Sequence, residues 1–564
     1  MKFNEYIYTR PNLETISKEV TCYIDQINNA NSIDEILDIV KKVTTITKNI
    51  DTMATLCSIR NSVDTTNEFH EKEQEYFDNN LPIYSEVSNN YLIALYNSKF
   101  KKELEKHLGE YLFKKIEVEL KTFSPEIISD LQEENKLCTE YSKLAASAKI
   151  PYDGKINNLP QMTPYLNSKD RKIRKEANDL VAEFLDEKSS QFDDIYDKLV
   201  KVRTKMAKKL GFENYCELGY YRLGRTDYDK HMVANYRNQI KKYVLPLVNK
   251  IYQAQAKRLN IDEMKNYDLN LSFLSGNPTP KGNREWMVEN AIKMYHQMSK
   301  ETGEFIDFMT EHELLDLDSK PGKRPGGYCT FIANYNSPFI FANFNGTSGD
   351  VDVLTHEAGH AFQVYCCRDF ELLEYMWPTY EACEIHSMSM EFFARPYIEL
   401  FFKEDTDKYL YSHLTGTVTF LPYGACVDAF QHEVYEHPEM TKEERVAMWR
   451  KLEKEYTPFK EYDNDVLNRG TWWYRQSHIF TSPFYYIDYT LAQVCAQQFF
   501  ILDNEDHENA WKKYYELCCL GGSKSFLGLL EESKLENPFV EGTVRKIMDK
   551  LSEWIDDFDQ SKLK

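Results

Sequence analysis

The stretch His356-Glu357-Ala358-Gly359-His360 carries the residue types and spacing of a metal-assisted hydrolase. On an α-helix, residues four apart stand one turn above each other, so both imidazoles can aim at one cation while Glu357 sits beside them. A metal held there activates a water, the neighbouring carboxylate takes its proton, and the hydroxide attacks a polarised carbonyl.

The helix must supply a reason for these groups to be where they are. At about 100° per residue, Val353, His356, Glu357, His360 and Val364 share one face, and Leu354, Ala358, Ala361 and Tyr365 form a second apolar strip. A helix apolar on both sides is buried. Two bare histidines and a glutamate inside it carry a desolvation cost that metal coordination offsets, the alternative being hydrogen-bonded core histidines. Ser348 is the expected N-cap, with Asp350 and Asp352 in the first turn where the helix dipole favours acids. Asp352 stands one turn before His356 and could orient its imidazole, although capping alone accounts for an acid there.

A site of this type needs a third protein ligand and an open position. Pro378 can open a second helix toward Phe401, on which Glu384, Met388, Glu391 and Arg395 form one stripe. Glu391 can then pair with Arg395 a turn later while Glu384 points inward. Glu381 competes with Glu384, and spacing prefers neither strongly.

The remaining elements are predicted to be mostly helical. Asn12 to Leu144 carries apolar residues at three- and four-residue spacing, as in Ile33 to Val40 and Leu92 to Leu95. His70 and His107 there lie among charges and are read as surface residues. Asp153-Gly154 offers a hairpin turn within Ala145 to Ile156, which sets the expected boundary between a helical region 1–144, forming a channel wall or lid, and a catalytic region 145–564. Asp170 to Leu210 and Glu285 to Met309 are helical, and Asp227 or Asp229 caps a long helix toward Leu259 with a kink at Pro246. After a loop at 319–327, the β-prone runs Tyr328 to Ile332 and Phe339 to Phe344 are expected as strands beside the site. An edge strand there can hydrogen-bond an extended peptide through its main chain, or can be plain scaffold.

Bulk properties narrow the function classes. The 564 residues can bury a sizeable core, and the formal charge of −21, with no basic stripe, excludes nucleic acid as a partner. No apolar run approaches a membrane span and the amino terminus lacks a signal-peptide pattern, so no membrane partner and a cytoplasmic location are expected. The 12 cysteines include the adjacent pairs Cys366-Cys367 and Cys518-Cys519 but no Cys-x-x-Cys, which indicates neither a disulfide framework nor a thiolate zinc site. Oligomeric state has no signature in these patterns.

The motif at 356–360, followed by Glu384-Ile385-His386-Ser387-Met388-Ser389-Met390-Glu391, resembles the thimet oligopeptidase and oligoendopeptidase F family of zinc peptidases. The resemblance implies a mainly α, zincin-like (gluzincin) fold with a small β element and a deep channel that admits short, flexible oligopeptides. It also implies one Zn2+ per chain, held by His356, His360 and Glu384, with Glu391 behind the ligands and Glu357 as general base. His386 lies off the ligand face and is read as structural. A second match, His478 with the tyrosines at 485, 486 and 489, implies donors to the substrate carbonyl and oxyanion. Tyr486 and Tyr489 are the choices, with Tyr485 as the alternative. The resemblance covers about Ala145 to Leu551.

The reaction implied is hydrolysis of internal peptide bonds. A zinc carboxypeptidase or dipeptidyl carboxypeptidase would share the ligands but needs a clamp for a terminal carboxylate, for which Arg395 and Arg475 are available. A non-catalytic helical metal-binding or scaffold protein leaves Glu357 without a use. Gln431-His432-Glu433 to Pro438 resembles a second metal site, but its histidines are five apart, and a surface turn or helix end is expected there.

Overall fold

The computed structural model describes every residue except Pro321, Pro325 and Lys564, together with the side chain of Pro82. The expected loop at 319–327 thus includes two positions outside the described residues. The fold is mainly α, with a two-stranded and a three-stranded sheet. Two compact units are interleaved along the chain: unit 1 joins Met1–Leu120, Thr279–Lys403 and Leu502–Leu535, and unit 2 joins Lys121–Pro278, Glu404–Ile501 and Glu536–Lys564. The division expected at 144/145 falls inside unit 2. There the helix Ile128–Ala146 packs along Ser189–Lys209, and Glu134 accepts from Arg203 Nε at 2.6 Å.

Unit 1 opens with three long helices, Leu13–Asn29, Ile33–Val63 and Glu68–Tyr96. Asn12 and Ser32 start the first two by accepting from the Thr15 and Glu35 amides, which would otherwise lack partners. Leu13, Val20 and Ile27, seven apart, form the buried stripe of the first and pack with Ile36, Ile39 and Val40 of the second.

The three-stranded sheet, also in unit 1, contains β3 (Leu315–Asp318), β4 (Tyr328–Ile332) and β5 (Ser337–Phe344) in the order β3-β5-β4. β3 runs parallel to β5 and β4 antiparallel to it, with Tyr328 opposite Phe341 and Ile332 opposite Ser337. The apolar run at the heart of β5 suits its central place, since such a strand is covered on both faces. β4 is an edge strand, as expected of a segment beside the site.

Next comes the helix Ser348–Cys367, called here the motif helix. Its N-cap is Thr347 rather than Ser348, which lies one position inside. Asp350 closes the turn instead, accepting from the Asn345 and Gly346 amides at 3.0 and 2.6 Å. A second helix, Tyr380–Ala394, packs against the motif helix. It stops at Ala394 rather than reaching Phe401, because Pro396 cannot continue the hydrogen-bond ladder. At the crossing, a methyl group on Gly359 would lie 2.6 Å from Ser387 Cα and 2.7 Å from the His386 carbonyl oxygen. Only a glycine lets the two backbones approach so closely.

In unit 2, β1 (Ile150–Tyr152) and β2 (Lys155–Asn157) pair antiparallel around Asp153 and Gly154, both at positive φ as the expected tight turn requires. Asp229, not Asp227, caps the next long helix by accepting from His231 and Met232. Pro246 acts as expected in a specific form: its missing N–H breaks the ladder, and Ile240–Val244 widens into a π-turn. Replacing Gly359 by alanine should destabilise the protein by about 1–3 kcal/mol through overpacking. The variant should melt lower in calorimetry and retain less metal after dialysis.

Candidate metal centre

The motif helix buries Val351, Leu354, Ala358, Ala361, Phe362 and Val364, while His356, Glu357 and His360 occupy its less buried stripe. The expected two-sided burial is therefore present, with the three chemical groups lining the remaining opening. From the neighbouring helix, Glu384 brings its Oε2 within 3.3 Å of His356 Nε2 and 3.5 Å of His360 Nε2. Among the described residues, His356, His360 and Glu384 are the group that could hold a metal ion.

The distances fit a small divalent cation. With bonds of about 2.0 to 2.1 Å to nitrogen and oxygen, neighbouring ligand atoms in a tetrahedral site are about 3.3 Å apart. The electrostatics agree. Glu384 and Glu391 hold the His356 pKa well above the ordinary imidazole range although burial opposes the charged form. Glu384 is itself held well below the usual carboxylate range, against its own burial, by His360 and His356. Such a pocket favours a positive charge.

Each ligand is oriented from behind. Glu391 Oε1 lies 2.6 Å from His356 Nδ1, which leaves Nε2 to face Glu384. This is the orienting role that Asp352 was considered for, taken by a residue on the facing helix. Ser387 Oγ donates to Glu384 Oε2 at 3.0 Å, fixing that carboxylate one turn along its own helix. Glu381 is fully buried in the same helix but lies outside the three-residue group. His386 is also fully buried, with Nδ1 3.5 Å from Cys518 Sγ, in keeping with a structural role.

The strand beside the site has its own anchor. A methyl group on Gly327, just before β4, would lie 4.0 Å from Glu357 Oε1. Upstream, the wholly buried Lys323 ammonium donates to the carbonyl oxygens of Asp316, Asp318 and Ala342 at 3.1, 2.7 and 2.6 Å, and to the Asp316 carboxylate. These bonds tie the loop before β4 to β3 and β5. Nothing in the sequence marks Lys323, because a lysine in a Gly/Pro-rich segment reads as exposed. Ser387 was within reach of a sequence argument, being three residues from Glu384.

Unit 2 gathers the second set of expected residues. The His478 ring lies 4.9 Å from Tyr486 and 5.7 Å from both Tyr485 and Tyr489, centroid to centroid. Gln476 Nε2 approaches His478 Nδ1 at 2.9 Å, and Tyr423 donates to the Gln476 carbonyl oxygen at 2.9 Å. With the amide N–H donating to Nδ1, the imidazole proton sits on Nε2. Burial pushes the Tyr486 phenol up to about 12, opposed by Arg475, so it remains a donor at neutral pH. Just before this cluster, Phe484 adopts φ 67°, a strained conformation for a bulky residue. Arg225 holds it, donating to the Phe484 carbonyl and to Asp488 at 2.6 Å each.

His432 corrects the expectation of a surface turn. It is buried inside the helix Thr406–Glu436, with Nε2 3.0 Å from the Tyr220 hydroxyl and Nδ1 3.0 Å from an Arg237 guanidinium nitrogen. The helix does end just before His437 and Pro438, as expected.

Comparison with known proteins covers nearly the whole chain. Residues 3–123 match the sequence profile of the peptidase M3 N-terminal domain, and residues 164–549 match that of peptidase family M3. A solved structure of PZ peptidase A with an inhibitor is 50% identical, with a TM-score of 0.94 over 99% of this chain and 100% of that one. A provisionally named oligoendopeptidase F of Bacillus anthracis is 48% identical, with a TM-score of 0.90 over 100% of this chain and 99% of its own. An oligoendopeptidase F homologue of Borreliella burgdorferi is 25% identical over 70% of this chain and 69% of its own length. The likeness thus reaches past the Ala145 to Leu551 region into the amino-terminal helices. Removing the Glu391 carboxylate as Glu391→Ala should weaken metal affinity about 10- to 100-fold, read by competition with a chromophoric chelator.

Proposed function

The chain belongs to peptidase family M3 and is an oligopeptide-hydrolysing metalloendopeptidase, and on that premise we propose a zinc mechanism with the following assignment of residues. One Zn2+ per chain is held by His356, His360 and Glu384. Zinc suits two imidazoles and a carboxylate, and when bound it polarises the scissile carbonyl and acidifies water. The observation that carries this reading is the Glu384 carboxylate at 3.3 and 3.5 Å from the two imidazole nitrogens, with Glu391 fixing the first ring.

Glu357 acts as the general base. Its carboxylate takes a proton from the attacking water and delivers it to the leaving amine nitrogen. His478, with Tyr486 and Tyr489, donates N–H and O–H groups to the carbonyl oxygen as charge develops on it. Each preorganised donor of this kind is worth about 3 kcal/mol. The protonated Tyr486 phenol and the Nε2–H tautomer of His478 support this role. Tyr485 stays as the alternative to either tyrosine. The β4 edge pairs with the substrate main chain, which accepts varied sequences because side chains are not read.

The substrates are short, unstructured oligopeptides that enter a channel to which residues 1–144 contribute a wall or lid. No described helix is long and apolar enough to cross a membrane, and we place the enzyme in the cytoplasm.

Glu357→Gln should keep its zinc and lose about 10²- to 10⁴-fold in peptide hydrolysis, because the ligands remain and the base does not. Near-normal turnover with full zinc would contradict the assignment. Among Tyr485→Phe, Tyr486→Phe and Tyr489→Phe, Tyr486→Phe should lose at least about 100-fold in kcat with little change in KM. A peptide amidated at its carboxyl terminus should be cut internally at the rate of the free acid, whereas an enzyme that clamps a terminal carboxylate would stall on it.

A further inference from the structure

The carboxyl-terminal end of the motif helix packs against the carboxyl-terminal end of the helix His507–Leu520, both within unit 1. Each contributes two adjacent cysteines to this contact. Cys367 and Cys518 form the dry half: both are fully buried, and the Cys367 thiol donates to the Cys518 carbonyl oxygen at 3.0 Å. The approach is close because Gly521 follows, where a methyl group would lie 2.8 Å from Cys367 Sγ. Cys366 and Cys519 form the other half, and both are only partly buried.

These two thiols hydrogen-bond to each other across the helix pair. The Tyr515 hydroxyl, one turn before Cys519, also donates to the Cys519 sulfur, and its ring packs 6.2 Å from Phe362 on the motif helix. The Cys519 sulfur therefore receives two hydrogen bonds, one from Cys366 and one from Tyr515. That arrangement stabilises a thiolate, and it lowers the Cys519 pKa to about 7, against the opposing effect of burial.

We propose that Cys366 and Cys519 are an oxidisable dithiol, converted by a low-molecular-weight disulfide into a cross-link between the motif helix and the helix His507–Leu520. The Cys519 thiolate attacks one sulfur of the small disulfide, forming a mixed disulfide and releasing one small thiolate, which takes up a proton. Cys366 then loses its proton and attacks the Cys519 sulfur, releasing the second small thiolate. The protein loses two electrons and two protons, and the small disulfide is reduced to two thiols. Geometry selects this pair. Cys367 and Cys518 are shielded from an incoming disulfide, whereas Cys22 is exposed but sits alone on its helix, so it can form only a mixed disulfide. The cross-link would close a long chain loop onto the helix that carries His356 and His360.

The test uses the full-length, zinc-loaded protein incubated with oxidised glutathione, followed by peptide mapping without reduction. The expected product joins the peptides holding Cys366 and Cys519, two hydrogens lighter than their sum. Two glutathione thiols are released per cross-link, and added dithiol reverses the reaction. Cys22 should carry a single glutathione and serves as the internal gauge of oxidant reactivity. In Cys366→Ser, glutathione should remain attached to Cys519, because the resolving thiol is gone. Recovery of wild-type Cys366 and Cys519 unmodified, or of glutathione retained on Cys519, while Cys22 is fully modified, would overturn the proposal. So would a cross-link through Cys367 or Cys518.

Discussion

The metal centre depends on two helices crossing closely enough for a carboxylate of one to meet two imidazoles of the other. Gly359 permits that crossing, since its bare Cα faces the backbone at His386 and Ser387. Glu384 then reaches both His356 and His360, while Glu391, two turns further on, reaches the far side of the His356 ring. Ligand and orienting group thus come from one helix face. A rotation of either helix would displace both together, which makes their relative placement insensitive to small distortions within either helix.

The second constraint is burial. Two imidazoles and three carboxylates gathered beside an apolar helix would be costly to desolvate without a compensating cation. The raised His356 and lowered Glu384 pKa values express this imbalance: each group leans on the other for stabilisation. Unit 2 holds a different polar arrangement. Its tyrosines sit beside His478, after a strained Phe484 that Arg225 and Asp488 keep in place. Strain held by a buried ion pair is a means of preorganising donors, because their geometry is set before substrate arrives.

Local chemistry made much of this legible in the sequence. The His-Glu-x-x-His spacing specifies a one-turn repeat, Asp153-Gly154 specifies a tight hairpin, and the stripe of Glu384, Met388 and Glu391 specifies one helix face. What escaped depends on distant partners. Periodicity left Glu384 and Glu381 open, because both lie on a buried helix and only the position of the motif helix separates them. Asp352 was a plausible partner for His356 at one-turn spacing, yet a residue 35 positions away holds the ring. Lys323 looked exposed because its four acceptors come from β3 and β5. His432 looked like a surface residue because Tyr220 and Arg237 approach it from other helices. The interleaving of the two units is the largest example, since contacts between segments hundreds of residues apart leave no local pattern.

The most direct measurement strips the purified protein of metal with a chelator and restores zinc in steps. Internal cleavage of a mixed-length peptide library is followed by mass spectrometry, with bound metal measured at each step. The account predicts no cleavage without metal, then activity rising in proportion to bound zinc and levelling at one ion per chain, with internal cuts in short peptides. Undiminished cleavage by the metal-free protein, or full zinc occupancy without internal cleavage of any peptide, would contradict it.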